Sequence, residues 1–508
     1  MNPSERLDRL VRVLISQTRR AFLGAVAVTP IVASITDDWI DLFDGHSLNG
    51  WRPSEDKNSW SVRNGSLAAD GPRSHLFYVG PVRGADFRNF ELQAEVLTRP
   101  ECNSGVYFHT RYQETDFPKK GFEVQINNSA RGEGNYRERK KTGSLYGVRN
   151  IYKQFVPDEE WFKISIAVRG KNVQIRLNGM LVVDYVEPTP PVIPDGPERE
   201  RFLDHGTFAL QCHNEGSRAF FRGVRVRPLP DDVTTSDQAA PVADEIYREV
   251  INVGRHNVPM VDFHVHLKNG LTLENALQKS RRDGIEYGIA LNAGLLSAVT
   301  DDAGAQAWVA NMQHQPVFLA MQAEGREWTR LFSRQTAALF DYIFTDSETW
   351  TDDHGRRMRL WIPEEVGLIT DVQEFMETLV HQTVGILEHE PIDIYANPTY
   401  IPPQIAKDYD TLWTEERMRK VIDAAARNQV AIELNNRYRI PSAKFVRMAQ
   451  VAGCKFSFGS NNNGASDLGR CEYGLQMLRE CRLGWQDFFV PGGWAPRAID
   501  RKASVLRA

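Results

Sequence analysis

The sequence predicts a multi-domain chain in which an all-β sandwich is followed by an α/β barrel of seven strands. Three observations carry this. At 508 residues the chain exceeds what one hydrophobic core usually serves. From Trp39 to Arg227, short runs with a side-chain period of two are separated by clusters of Gly, Asn, Pro and Asp. From Ala243 onward the pattern changes to strands alternating with amphipathic helices. The expected divisions are residues 1–35, 36–228, 229–244 and 245–508.

Residues 1–35 stand apart from the fold. A basic, polar start ends in Thr18-Arg19-Arg20-Ala21-Phe22-Leu23 and runs into the apolar Ala25 to Ile35, the order of a twin-arginine export signal. Val32-Ala33-Ser34 offers small residues for cleavage, whereas Pro30 and the short apolar run argue against a spanning helix of about 20 residues. The expectation is a bacterial periplasmic or secreted protein with no stable membrane anchor after signal removal; the alternative is a loose N-terminal helix. The net charge of -5, from 61 basic and 66 acidic residues, gives no argument for a nucleic-acid partner. Cys102, Cys212, Cys454, Cys471 and Cys481 are widely spaced and odd in number, so no disulfide framework is implied and pairing stays open. The oligomeric state is open too.

In the first half, strands are expected at Phe90 to Val96, Val106 to Arg111, Gly121 to Asn127, Trp161 to Val168, Thr207 to His213 and Ala219 to Arg227. Val173 to Leu177 and Met180 to Tyr185 flank Asn178-Gly179, whose residue types suit the positive backbone angles of a tight hairpin turn. Pro228 to Ala243 reads as a linker. The stretch Asn103 to Asn128 is the most informative. Its alternation sends Val106, Phe108, Phe122, Val124 and Ile126 into a core and leaves Tyr107, His109 and Arg111 on one strand, with Glu123, Gln125 and Asn127 on another, sharing the opposite face.

Several ordered blocks give this half a family resemblance. They are Leu42-Phe43-Asp44-Gly45, Leu48-Asn49-Gly50-Trp51, Trp60-Ser61-Val62, Asn64-Gly65-Ser66-Leu67 and Phe90-Glu91-Leu92, then Asn103-Ser104-Gly105, Gly121 to Ile126, Thr142 to Tyr146, Leu177-Asn178-Gly179, Gly206 to His213 and Phe221 to Arg225. Together they resemble the 3-keto-disaccharide hydrolase domain family. That resemblance implies a concanavalin-like jelly roll with a carbohydrate-facing concave sheet. Asn128 stands where relatives often carry aspartate, which argues against an acid or metal role there.

A ketone at sugar carbon three acidifies the proton on the neighbouring carbon and places the glycosidic oxygen β to the carbonyl. Elimination followed by water addition then cleaves the glycoside, and needs a general base, a general acid and a donor to the developing enolate. Glu123 is the candidate base or acid; His213 and His109 are alternatives for the other proton transfer; Tyr146 would donate to the enolate or stack on the sugar. Asn103, Gln125 and Gln211 suit hydroxyl recognition, since amides both donate and accept. A solvated sheet face, or a sugar-binding module without turnover, is the competing reading.

In the second half, strands are expected at Met260 to Leu267, Glu286 to Asn292, Pro316 to Ala323, Asp341 to Thr345, Ile392 to Ala396, Val430 to Leu434 and Lys455 to Gly459. Amphipathic runs such as Leu273 to Arg282, Val372 to Leu387 and Glu415 to Arg427 lie between them. In a βα barrel, functional residues gather at the C-terminal ends of the strands. Alternation in Asp262-Phe263-His264-Val265-His266 aims Asp262, His264 and His266 the same way, and two imidazoles so placed would clasp one metal ion.

With Gln322-Ala323-Glu324, Ile392 to Pro398, Ile432 to Asn436 and Gly459 to Asn463, this half resembles the polymerase and histidinol phosphatase (PHP) superfamily. The resemblance implies a distorted barrel used for metal-dependent phosphoester hydrolysis. The ligand pattern departs from the family, with Asn292, Asn397, Asn461 and Asn463 at positions where it has Asp or His. Neutral amides are poor ligands for a multinuclear cluster. His264, His266 and Glu324, with Glu348 as a fourth, are left as the set for a single divalent ion such as Zn, Mn or Fe. Otherwise the histidines hydrogen-bond inside a retired barrel and the asparagine ring receives sugar hydroxyls. The expected activity is therefore hydrolysis of 3-keto-glycosides in the sandwich, the alternative being a carbohydrate-binding sandwich attached to a catalytic barrel or a non-catalytic sugar-binding protein.

Overall fold

Alternating apolar residues of the first half close a core between two antiparallel sheets, consistent with a jelly roll. The computed structural model describes residues 38–507 apart from 131, 133–135, 194–199, 237–238, 352–354 and 494–495, so the expected export signal lies outside the described residues. One sheet runs in the order Met180–Val186, Asn172–Leu177, Phe162–Arg169, Phe90–Thr98, Arg218–Pro228, Ser66–Asp70, Trp60–Arg63, with Ile40–Asp41 added against Arg218–Pro228. The other runs Trp51–Pro53, Ser74–Tyr78, Thr207–Cys212, Asn103–Thr110, Phe122–Asn127. Val106, Phe108, Phe122, Val124 and Ile126 are buried between the sheets as their alternation requires. Each such side chain is worth about 1.5–3 kcal/mol of apolar burial. Asn178 and Gly179 turn the hairpin with φ of 48° and 88°.

The five-stranded sheet does not stop at Phe122–Asn127. Thr142 N donates to Asn127 O at 3.0 Å, Gln125 N to Ser144 O at 2.9 Å and Tyr146 N to Glu123 O at 2.9 Å. Residues 142–146 thus cover that edge as an irregular sixth strand and carry Tyr146 to the flank of Glu123. The expected linker is fastened to the sandwich, with Asn89 Nδ2 donating to Pro230 O at 2.9 Å. All five cysteines are buried free thiols.

The second half is a closed parallel barrel in the order Val261–Val265, Glu286–Gly294, Phe318–Glu324, Tyr342–Thr345, Ile394–Tyr395, Ala431–Asn435, Phe456–Gly459, one strand at each expected position. The outer helices start where short polar side chains cap them. Thr272, Asp301, Asp371, Thr414 and Ser442 each accept a backbone N–H from the first turn. No helix among the described residues is long and apolar enough to cross a membrane.

Sandwich and barrel meet through residues 139–153. Tyr152 enters the apolar interior of the barrel beside Val261, Phe263, Phe318 and Tyr342. Its N–H donates to Glu286 Oε2 at 2.9 Å and its hydroxyl to Val258 O at 3.0 Å. Lys153 Nζ reaches Asp341 Oδ2 at 2.6 Å and Val317 O at 2.9 Å. Arg149 donates to Arg281 O at 2.9 Å, and to Arg282 O and the Tyr247 hydroxyl at 2.6 Å each. Glu286, Val317 and Asp341 stand at the N-terminal ends of their strands, so the sandwich plugs the bottom of the barrel and leaves the opposite mouth free.

Candidate active site

Strand register sets out the face of the five-stranded sheet that points away from the core. Phe77, Ala209, Tyr107 and Glu123 form one row across it, and His75, Gln211, Gly105 and Gln125 form the next. This face is not solvated as a simple polar face would be: Tyr107, His75, Gln211 and Gln125 are at most 1% exposed and Glu123 is 7% exposed. The gap at Gly105 is filled from the side, because the Glu123 carboxylate leans across it. Tyr107 and Gln211 hydrogen-bond that carboxylate, and Gln211 Nε2 donates to the Tyr107 hydroxyl at 3.0 Å. Burial pushes the Glu123 pKa up to about 7, against the opposing pull of Arg201 and of the hydrogen bonds from Tyr107 and Gln211.

Beside Glu123 stands a second cluster. The hydroxyls of Tyr146 and Tyr136 donate to Glu138 Oε2 at 3.3 and 2.7 Å. Lys140 Nζ lies 3.6 Å from Glu138 Oε1, donates to Asn257 Oδ1 at 3.3 Å, and sits 4.5 Å from the centre of the Tyr146 ring. Arg201 donates to Tyr146 O at 2.9 Å. Burial lowers the Lys140 pKa, against the charge of Glu138 and its hydrogen bond, and raises that of Tyr146. Removing charges from water is costly unless each is paired, which is the physical reason Lys140 and Glu138 come together. Asn257, from the barrel half, completes the support of Lys140.

Of the residues singled out in the sequence, Glu123, Tyr146, Gln125 and Gln211 are brought together. Gln125 Nε2 donates to Asn103 Oδ1 at 2.7 Å, which places Asn103 on the same face. His213 lies at the more open edge, 5.4 Å ring to ring from Phe117. His109 departs from the alternation expected of it. It has φ of 54°, and three steps from Tyr107 to Thr110 match two from Ala209 to Thr207, a bulge that turns its ring away from Glu123. The ring packs edge-on against Phe90 and Phe108, and Nε2 is 2.9 Å from Arg88 O. Gly121 allows the kink, since a Cβ there would meet Phe108 O at 2.2 Å. Burial lowers the His109 pKa to about 4. Arg111 is exposed and pairs with Glu200 at 2.9 Å. Asn128 holds Thr98 and Thr142 with its two amide ends, at 2.9 and 2.6 Å.

Sequence reasoning missed His75, Lys140, Glu138 and Arg201. His75 shares a side of its strand with Phe77, but Ser74-His75-Leu76-Phe77-Tyr78 has no polar and apolar alternation to mark it. Both ring nitrogens of His75 are buried without a hydrogen-bond partner, and burial lowers its pKa to about 3, so the ring is neutral. Lys140, Glu138 and Arg201 sit on irregular chain where no period marks them.

The mouth of the barrel holds a separate polar cluster. His264 Nδ1 is 2.6 Å from Glu433 Oε1, and the His264 and His266 rings lie 5.2 Å apart. Pairing skips a residue between Asp262 and Val265, so the expected common direction of Asp262, His264 and His266 is broken. Asp262 accepts from Ser460 N at 2.9 Å, whereas His264 packs on Phe344 in the interior. Glu324 accepts from Asn292 and, at 3.0 Å, from Ser297 Oγ. His266 faces the amides of Asn292 and Gln322. Glu348 is buried with Oε1 unpartnered. Among the described residues, no group of three or more His, Cys, Asp or Glu side chains is disposed to hold a metal ion. The donor set therefore does not fit the single divalent ion expected for His264, His266, Glu324 and Glu348.

Residues 38–227 match the profile of a family described as the 3-keto-alpha-glucoside-1,2-lyase-like domain. The sandwich half thus carries a carbohydrate-related domain. No curated protein gives a significant match. Among solved structures, a provisionally assigned glycosyl hydrolase from Parabacteroides distasonis is 21% identical, with 38% of this chain and 94% of that chain covered and a TM-score of 0.31. A carbohydrate-binding module from Bacillus subtilis is 13% identical over 34% of this chain and 93% of its own, with a TM-score of 0.22. Histidinol phosphate phosphatase from Lactococcus lactis is 11% identical, with coverage of 46% and 95% and a TM-score of 0.34.

Proposed function

We propose that the sandwich cleaves 3-keto-glycosides by elimination and hydration, with Glu123 as the general base. The observation that carries this reading is the carboxyl group itself: buried, held over Gly105 by Tyr107 and Gln211, and poised at a pKa of about 7. Such a group is a stronger base than a solvated carboxylate yet is still substantially ionised near neutral pH. It takes the proton from the sugar carbon between the ketone and the glycosidic carbon. The electron pair moves into the ketone as an enolate, and its return expels the glycosidic oxygen, which leaves with a proton. Water added across the resulting double bond completes a net hydrolysis.

In this reading Tyr146 donates to the enolate oxygen, its hydroxyl exchanging the 3.3 Å bond to Glu138 for the substrate, and Lys140, 4.5 Å from the centre of its ring, favours negative charge developing there. His213, at the open edge, is the second proton carrier. Asn103, Gln125 and Gln211, with the neutral His75, offer donors and acceptors to sugar hydroxyls. The barrel we read as a divergent PHP-type barrel whose metal positions have passed to amides, and no step is routed through it.

The test is incubation with an aryl 3-keto-glucoside and identification of the products by mass spectrometry. Wild type releases the aglycone and 3-keto-glucose; Glu123→Gln loses about 10²–10⁴ in rate. Full activity in Glu123→Gln, or loss only on substituting His264, would transfer catalysis to the barrel.

A further inference from the structure

We propose that the mouth of the barrel is a second, metal-independent site for a neutral, hydroxyl-rich ligand of one or two sugar rings. A cleft of about 600 Å³ opens there, lined by His264, His266, Gln322, Glu324, Asp346 and Glu348. That volume lies within the range of about 300–1,000 Å³ usual for small-molecule sites. The cleft is at the end of the barrel opposite the Tyr152 plug, so it is separate from the Glu123 face and the proposal stands independently of the sandwich chemistry.

The unmet hydrogen-bonding capacity has one sign. Glu348 Oε1 and Gln322 Oε1, on side chains 3% and 8% exposed, are acceptors with no donor. Leaving a buried acceptor unpaired costs about 1–3 kcal/mol, so a ligand that brings O–H donors removes a penalty already present in the free protein. Neutral amides at Asn292, Asn397, Asn461 and Asn463 stand among the remaining polar groups. Asn397 Oδ1 is shared by Asn435 Nδ2 at 2.7 Å and Asn461 Nδ2 at 3.0 Å, and Asn292 is tied to Glu324. These are fixed donors and acceptors of the kind that read hydroxyl groups.

Charge and shape narrow the class. A phosphate or other anion would meet Glu324 and Asp346, whereas a cation would meet Lys268 and Arg437 across the same cleft; burial pushes the Glu348 carboxyl well above the usual range, so it faces the cleft uncharged. A neutral ligand is opposed by neither. At the rim stand Trp361, 41% exposed, and Tyr438, braced 4.9 Å ring to ring against Tyr400. An exposed indole facing a polar cleft suits the apolar C–H face of a sugar ring, whose hydroxyls then turn inward to the acceptors.

The test uses the full chain stripped with EDTA and titrated in turn with sucrose, trehalose and cellobiose, followed by calorimetry and tryptophan fluorescence. Saturable binding of at least one, weakened about tenfold or more by both Trp361→Ala and Gln322→Leu, is expected. Trp361 lies at the surface, so its replacement reads out binding rather than folding. The proposal is overturned if none of the three saturates, if binding requires added zinc or manganese, or if both variants bind as wild type does. These sugars carry no free ketone, so a negative result here leaves the keto-glycoside reading standing, and failure of keto-glycoside cleavage leaves this one standing.

Discussion

The carboxylate of Glu123 lies across Gly105 of the neighbouring strand, so that a methyl group on the glycine would stand 2.6 Å from Oε1 and 3.0 Å from Cγ. The relationship recurs in the barrel, where a Cβ on Gly459 would stand 1.8 Å from Oε1 of Glu433. In both places the missing side chain on one strand is the seat of a buried acid on the next. Gly105→Ala must therefore displace the Glu123 carboxylate while leaving the strand backbone, where φ is not positive, in a conformation alanine accepts. A misplacement on the order of 1 Å at the reacting group can cost about 10²-fold. The expected result is that loss in kcat against the aryl 3-keto-glucoside, with KM moved far less and thermal stability nearly kept. An unchanged kcat would show that Glu123 does not act from this seat.

The raised pKa of Glu123 gives two opposite pH dependences. For catalysis the ionised form is needed, so kcat/KM should rise with pH and level off above an inflection near 7. For stability the sign is reversed. The folded pKa of about 7 exceeds the ordinary 4.5, so the folded chain holds a proton that the unfolded chain has released between those values. This stabilising contribution is fully present below 4.5 and is lost as pH rises through 7. Above that, burial of the charge costs up to about 3 kcal/mol. Glu123→Gln should accordingly match wild type in urea midpoint at pH ~4 and exceed it at pH ~9, while keeping only a residual rate. An equal midpoint at both pH values would contradict the shift.

Where the chain obeys one period, its structure was legible. Val106, Phe108, Phe122, Val124 and Ile126 announced the core, and the polar members Glu123, Gln125 and Tyr107 announced the face, because a strand has only two sides. His109 was misread because a bulge changes sides without changing the local pattern; its traces are Gly121 and Gly206, whose need for space involves residues far away in the chain. Lys140, Glu138 and Arg201 were missed for another reason: they lie on irregular chain and are held by contacts with no repeat, Lys140 by Glu138 and Asn257, and Arg201 by the carbonyl of Tyr146. Tyr152 as the barrel plug belongs to the same class, since nothing local distinguishes a tyrosine that fills its own domain from one that fills another. In the barrel, the strand positions were legible from the alternation of strands and helices, but not the skipped residue that parts Asp262 from His264.

His264 is a structural partner of Glu433 on this geometry, and among the described residues no three His, Cys, Asp or Glu side chains are disposed to hold a metal ion. Two results follow. Chelation with EDTA should leave keto-glycoside cleavage within about twofold of the untreated rate, a difference under about 0.5 kcal/mol. His264→Ala should destabilise the chain by about 3–5 kcal/mol, because Glu433, although pushed up by burial, is held below the usual carboxylate range by His264 and would lose that partner. Mass-spectrometric metal analysis with activity checks the first and urea unfolding the second. A rate that collapses on chelation and returns with zinc would overturn the first.

The junction between the halves predicts that catalysis in one depends on docking to the other. The segment that carries Tyr146 and Lys140 beside Glu123 continues into Arg149 and Tyr152, which end inside the barrel half. Asn257 of that half holds Lys140 directly. Tyr152→Ala would empty a fully packed aromatic site, at a cost of about 3–5 kcal/mol. It would also strip Val258 O of its donor. Because the damage falls on the contact and on the inner cluster of the barrel but not on the core of the sandwich, calorimetry should show two transitions, one for each half, where wild type is expected to show one. The keto-glycoside rate should fall by about tenfold or more at a temperature where both halves remain folded, through loss of the Tyr146 and Lys140 geometry. Arg149→Ala, which removes the bonds to Arg281, Arg282 and Tyr247, should act in the same direction. If Tyr152→Ala separates the transitions and the rate is unchanged, the loop holds its shape without the barrel, and Lys140 does not act on the enolate through Tyr146.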